Sequence, residues 1–235
     1  MRKLIAIFVL SSILCSAGIY ISCAEEPPQG DPDALDTRVR QFMQNHWGTW
    51  HDLNVPEADG QALHDIILEH KYKDALEIGT STGYSTIWIA WALSKTGGKV
   101  ITVEIDKQRH EEALTHFREA GLDKFIDARL GDAHTIVPAL EGPFDFVFCD
   151  ADKDWYNNYL SATIDKLKVG GCFAAHNVSD GSQWGFGGRG GRRGGFGGRG
   201  SGFFEFAKSF SILDTSILDI RGSAGISVSY KKAEK

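Results

Sequence analysis

Cysteine is scarce. The chain of 235 residues carries four, and two of them, Cys15 and Cys23, fall in an apolar N-terminal stretch. Cys149 and Cys172 remain for the body, each in an apolar, strand-like run. That predicts buried free thiols and gives no support to a disulfide framework. An excess of positive charge is also missing. Lys and Arg number 25 against 31 Asp and Glu, a net charge of −6, which weighs against a protein that coats nucleic acid. Two phosphate-binding signatures are absent too. The turn from Gly79 to Gly83, inside ALEIGTSTGYSTIWIA (75–90), has no P-loop lysine and lacks the strict dinucleotide spacing. What is present is an ordinary globular composition, 42% hydrophobic and 24% charged, enough for one domain with a full core.

Residues 1–24 read as an export leader: Arg2 and Lys3, an uncharged apolar stretch from Leu4 to Ile21, then Ser22-Cys23-Ala24. Cleavage after Ala24, lipidation at Cys23 in a lipobox-like Ile21-Ser22-Cys23, and an uncleaved anchor all fit. Each predicts an exported body, periplasmic or membrane-attached. A Pro-rich linker follows over 25–34, and the folded body runs over 35–235.

Within the body, apolar spacing predicts a helix from Leu35 to Trp50 with Trp47 on its packed side. Asn54–Gln61 reads as a turn opening a helix from Ala62 to His70, with His64 and His70 at the surface or in caps. Strands then alternate with helices: strands at 75–78, 100–103, 125–130, 144–149 and 172–175, helices at 84–93, 107–120, 133–140 and 155–167. Segments 216–220 and 225–230 read as a closing hairpin. This order predicts an α/β fold with a mostly parallel sheet covered by helices on both faces.

In such sheets ligands sit beyond the carboxyl ends of the strands. Those ends carry Glu77 and the turn 79–85, Glu104, Asp132, Asp150 with Asp152 and Lys153, and His176 with Asn177. One acid there is usually a helix cap; five polar ends on one rim exceed capping. Strand, glycine turn and helix aim backbone N–H groups at a ligand. Glu77 suits a cationic or hydroxyl-rich ligand part. Glu104, at the second strand's end after the glycine turn, stands where a carboxylate binds ribose hydroxyls.

Three stretches, LEIGTSTGYS (76–85), FDFVFCDADKDWYNNY (144–159) and LKVGGCFAAHNV (167–178), resemble the class I S-adenosylmethionine-dependent O-methyltransferases of the catechol and caffeoyl-CoA type. The resemblance covers about 55–232 apart from one insertion. It implies a Rossmann-like doubly wound sheet of seven strands with a C-terminal antiparallel hairpin, a homodimer, and a small hydroxylated acceptor. It implies a cofactor site of Val55, Glu77, Gly79, Thr80, Ser81, Gly83, Tyr84, Ser85, Glu104, Asp132, Ala133 and Asp150. There the turn and Ser85 hold the methionine part, Glu104 the ribose, and Asp132 with Ala133 the adenine. Lys153 falls beside the attacking hydroxyl, and Asp150, His176 and Asn177 fall on the family's metal ligands.

The chemistry accounts for these residue types. A phenol-type hydroxyl ionises near pH ~10; a divalent cation on its oxygen lowers that value, and a nearby lysine takes the proton or holds the anion. The departure is His176, where the family pattern has Asp. A mixed Asp150/His176/Asn177 site would favour manganese, iron or zinc over magnesium. Alternatively no metal binds and His176 acts as acid, base or electrophile, or it merely hydrogen-bonds Asp150.

The insertion, GSQWGFGGRGGRRGGFGGRGSG (181–202), is about half glycine with Arg189, Arg192, Arg193 and Arg199, and reads as a disordered loop. Emerging beside His176-Asn177, it suits contact with an anionic polymer or lipid, recruitment of an anionic acceptor, or no role beyond a tolerated loop. An RNA-modifying methyltransferase and a non-catalytic cofactor-binding protein are the rival readings. Export conflicts with the cytoplasmic supply of S-adenosylmethionine.

Overall fold

Strand residues of opposite parity bury themselves on opposite sides of one sheet. Ala75, Phe146, Phe148, Cys172 and Ala174 join one apolar cluster, while Leu76, Ile78, Val147, Cys149, Phe173 and Ala175 join another. A strand buried on both faces needs a continuous apolar run, and these segments supply it. The computed structural model describes residues 32–50, 53–179 and 201–233. The leader, most of the linker and the Arg/Gly insertion through residue 200 lie outside them.

The chain enters through α1 (Pro32–Asn45) and α2 (Glu57–His70). It then alternates: β1 (Asp74–Ile78), α3 (Tyr84–Thr96), β2 (Lys99–Glu104), α4 (Lys107–Ala120), β3 (Ile126–Leu130), α5 (Ala133–Ala139), β4 (Phe144–Cys149), α6 (Tyr156–Thr163) and β5 (Leu167–His176). After the insertion come α7 (Ser201–Lys208), β6 (Leu213–Ile217) and β7 (Ile226–Lys231). The seven strands lie in the order β3-β2-β1-β4-β5-β7-β6. Strands β1 to β5 pair in parallel, and β7 runs antiparallel to both β5 and β6. Residues of α1 to α4 cover one face, and residues of α5 to α7 the other. The strand order reverses between β1 and β4, where ligand crevices form in open α/β sheets.

Several boundaries differ from the sequence reading. The first helix ends at Asn45. Trp47 is 70% exposed, whereas Trp50, beyond the helix, packs its ring 4.7 Å from Tyr84. The loop therefore supplies apolar contact that spacing had assigned to a helix face. The second helix starts at Glu57, so Asp59 and Gly60 are buried helical residues, not a surface turn. A side chain at Gly60 would strike the Trp88 indole. His64 is buried against Trp88 and Trp91 instead of sitting at the surface. The 155–167 helix is shorter and follows a 3-10 turn, β5 begins five residues early, and α7 starts at Ser201 inside the expected insertion. Cys149 and Cys172 are buried free thiols. Among the described residues, no helix is long and apolar enough to cross a membrane.

Candidate functional site

The β1–α3 turn is fixed from below by Glu77. Its carboxylate is fully buried and accepts from Ser85 Oγ (2.6 Å), Thr102 Oγ1 (2.6 Å) and the Thr86 hydroxyl. Burial pushes its pKa up to about 7, against three hydroxyl donors pulling it down. Glu77 and Ser85, both expected at the ligand, tie helix α3 to strands β1 and β2. Thr80 is buried as well, with its hydroxyl 2.5 Å from that of Thr102. Tyr84 turns its ring into the core against Trp50 and Trp88.

The backbone of the turn is what reaches the rim. Gly79 has φ +96, and a Cβ there would lie 2.5 Å from the Asp150 carbonyl oxygen, so only glycine lets the β1 and β4 ends meet. Ser81, at φ +50, donates its N–H to Glu104 Oε2 at 2.7 Å, and Asp106 N–H donates to Oε1 at 2.9 Å. Each carboxylate oxygen accepts up to two hydrogen bonds, so each keeps one acceptor position beyond these backbone contacts. Asn54 bonds the Thr82 hydroxyl at 3.0 Å, which seats the segment containing buried Val55 beside the turn. Asp132 caps α5 through His134 N–H (2.9 Å) next to half-buried Ala133. Beside it the His134 ring stacks on Trp155 at 3.6 Å and meets Asp152 at 3.0 Å, an aromatic ledge that the sequence reading missed.

The ends of β4 and β5 carry a chain of charges. Asp150 Oδ1 accepts from Lys153 Nζ at 2.7 Å, and Asp150 Oδ2 lies 3.0 Å from His176 Nδ1. On its other side His176 Nε2 lies 2.8 Å from Asp59 Oδ2, which also accepts from Ala224 N–H at 2.9 Å. His176 is 3% exposed. Burial opposes its charge, but hydrogen bonds to Asp150 and Asp59 outweigh that and raise its pKa to about 9. Burial likewise opposes ionisation of both aspartates, yet His176 holds each below the usual carboxylate value. Tyr156, to which no role was given, accepts from Lys153 and donates to the His176 carbonyl at 3.2 Å. Asp59 was missed altogether, because the sequence reading put it in a turn ahead of the helix, where an acid is ordinarily solvated.

This donor set does not fit a divalent cation as it stands. Both His176 nitrogens and both Asp150 oxygens are turned to partners within the protein, and Asn177 is exposed at φ +55. Among the described residues, no group of three or more His, Cys, Asp or Glu side chains is arranged to hold a metal. An open depression lined by Lys99, Arg129 and residues 139–144 lies elsewhere, away from these strand ends.

Comparison with known proteins gives a family and a fold. A family model described as O-methyltransferase matches residues 26–183. The caffeoyl-CoA O-methyltransferase of Medicago sativa is 35% identical over 146 residues, covering 60% of this chain and 58% of that protein. Caffeoyl-CoA O-methyltransferase 1 of Eucalyptus globulus is 36% identical over 145 residues, covering 60% and 58%. The matches thus span less than two thirds of these relatives' length. The O-methyltransferase TomG from Streptomyces achromogenes, solved with SAM, superposes with a TM-score of 0.66 at 26% identity over 86% of this chain and 90% of its own. The O-methyltransferase from Bacillus cereus, solved with SAH, gives a TM-score of 0.67 over 84% and 91%; at 24% identity that likeness is one of fold.

Proposed function

Since the chain belongs to the O-methyltransferase family, we propose that it moves the methyl group of S-adenosylmethionine to a hydroxyl of a small, catechol- or phenol-like acceptor. One observation carries the reading: the Gly79 turn abuts Asp150, so a nucleoside cradle and a charged proton-handling pair share one rim.

S-adenosylmethionine supplies an activated methyl on a cationic sulfur, which leaves as a neutral thioether. Glu104 is suited to receive the ribose hydroxyls, and the backbone of 79–83 the methionine part. Asp132 and Ala133 line the adenine side. Lys153, an ammonium paired with Asp150 and bonded to Tyr156, holds the acceptor's oxyanion once its proton has passed to solvent. Alignment of oxygen and methyl supplies much of the remaining rate. The relatives favour neither an RNA-modifying enzyme nor a non-catalytic binder.

Calorimetry of the full chain with S-adenosylmethionine and S-adenosylhomocysteine tests this without knowing the acceptor. Saturable one-to-one binding of both is expected; no binding of either sinks the reading. Catechol then serves as the probe acceptor.

Export is part of the proposal, with the body periplasmic or membrane-attached through Cys23. The mass of the mature N-terminus and cell fractionation check it. So is a homodimer, read by sedimentation. Contact of the Arg/Gly insertion with an anionic acceptor, polymer or lipid is checked by deleting 183–199; unchanged acceptor affinity and lipid binding would dismiss it.

A further inference from the structure

Asp59 sits in the first turn of α2, 117 positions from His176, and is fully buried. Its Oδ2 faces one ring nitrogen of His176 at 2.8 Å, while Asp150 Oδ2 faces the other at 3.0 Å. An ionised carboxylate has no proton to give. Both ring nitrogens must therefore donate, so the ring carries two N–H groups and a positive charge. An imidazole binds metal through a nitrogen lone pair, and here neither nitrogen keeps one.

The charges already balance without an ion. Asp59 and Asp150 contribute two negative charges, His176 and Lys153 two positive ones, in a single connected chain. A divalent cation entering at Asp150 would have to displace Lys153 or strip a proton from His176. The second course would leave Asp59 as a buried carboxylate without its cation, which is strongly unfavourable. Asp59 is itself anchored from a third element, by Ala224 N–H in the turn before β7. The imidazolium is thus gripped by α2, β4 and the β6–β7 connection together.

We propose that Asp59 is a positioning residue that fixes His176 as an internal cation, so that the reaction rim takes its positive charge from side chains and binds no divalent metal. This rests on the methyl-transfer reading of the same rim and deepens it. Lys153 and the imidazolium then stand where metal charge would otherwise favour the acceptor's oxyanion. A neutral Asn at position 59 would release the Nε2 end of the ring from its ionic partner.

The test needs neither cofactor nor acceptor, so its failure is separate from failure of the methyl-transfer reading. Full-length protein is titrated with Mn²⁺ and free ion is followed by electron paramagnetic resonance. The unaltered protein is expected to leave the free Mn²⁺ signal proportional to addition. His176→Asp, which places a second carboxylate beside Asp150 and Asn177, is expected to gain one site per chain. In parallel, ¹⁵N-histidine NMR at neutral pH reads the ring directly. Both His176 nitrogens are expected to be protonated in the unaltered protein, with the Nε2 signal shifted toward the neutral form in Asp59→Asn. Stoichiometric Mn²⁺ uptake by the unaltered protein, or a bare ring nitrogen on His176, would overturn the proposal. Both measurements on the unaltered chain stand even where a variant fails to fold.

Discussion

The two halves of the strand-end rim bury carboxylates by opposite means. In the cradle half, Glu77 is surrounded by neutral hydroxyls, and burial leaves its pKa raised to about 7. In the reaction half, Asp59 is just as buried, yet the His176 cation keeps it below its usual value. Hydroxyl donors are enough to orient a structural acid. At Asp59 the His176 cation, joined by hydrogen bonds from Ser223 and the Ala224 N–H, outweighs burial and keeps the acid ionised. The cradle half is thus tied together by neutral hydrogen bonds, the reaction half by charge.

The largest effect that sharpens this contrast is expected at Lys153. Lys153→Met should lower single-turnover methyl transfer by about 10²–10⁴-fold, while calorimetric affinity for S-adenosylhomocysteine stays within about twofold. Equal losses in both would merge the two halves into one unit. Next comes His176→Ala, which strands the buried Asp59 carboxylate and leaves Asp150 with Lys153 alone, and should cost about 3–5 kcal/mol in urea unfolding. A loss below 1 kcal/mol would mean the charge chain is not formed in solution. On the cradle side, Glu104→Ala should weaken S-adenosylhomocysteine binding by about 10- to 150-fold, the worth of hydrogen bonds to a charged acceptor. Binding that stays unaltered would remove Glu104 from the ribose. The smallest is Glu77→Gln, expected to cost about 1 kcal/mol of stability with binding preserved; a variant that folds but no longer binds would return Glu77 to the ligand.

Acidity separates the halves further. His176 has its pKa raised from 6.5 to about 9, so its stabilisation is complete below 6.5 and is lost as pH rises through about 9. Glu77 is raised from 4.5 to about 7, so it lowers stability between those values and adds no further change above them. Asp59 and Asp150, both lowered from 3.8, lose their contribution as pH falls below that value. Urea midpoints against pH should therefore fall from near neutrality to pH 9 in both the unaltered protein and Glu77→Gln. The decline between 4.5 and 7 should be absent from Glu77→Gln alone. An alkaline limb that is flat in both would detach His176 from its carboxylates.

Much of the rim was legible because βα order is itself geometric information. Glu104, Asp150 and His176 each close an apolar strand and Asp132 follows a mixed one, and parallel pairing brings such ends to one edge. Glu77 was legible as an acid beside the turn but not as a buried one, since its partners Ser85, Thr86 and Thr102 come together only once α3 packs over β1 and β2. The helix ends at Asn45 and Glu57 escaped notice because apolar spacing does not distinguish a helix face from a loop folded onto the same core.

By itself the sequence determined the class of fold, the order of strands and helices and the acids at the strand ends, because apolar runs and chain order are local properties. Tertiary structure alone decided what those acids meet. Whether the histidine at 176 offers a lone pair or a proton depends on Asp59, and that contact exists only because α2 lays its first turn over the end of β5. A side chain's protonation follows its neighbours in space, and no spacing along the chain encodes a neighbour 117 residues away.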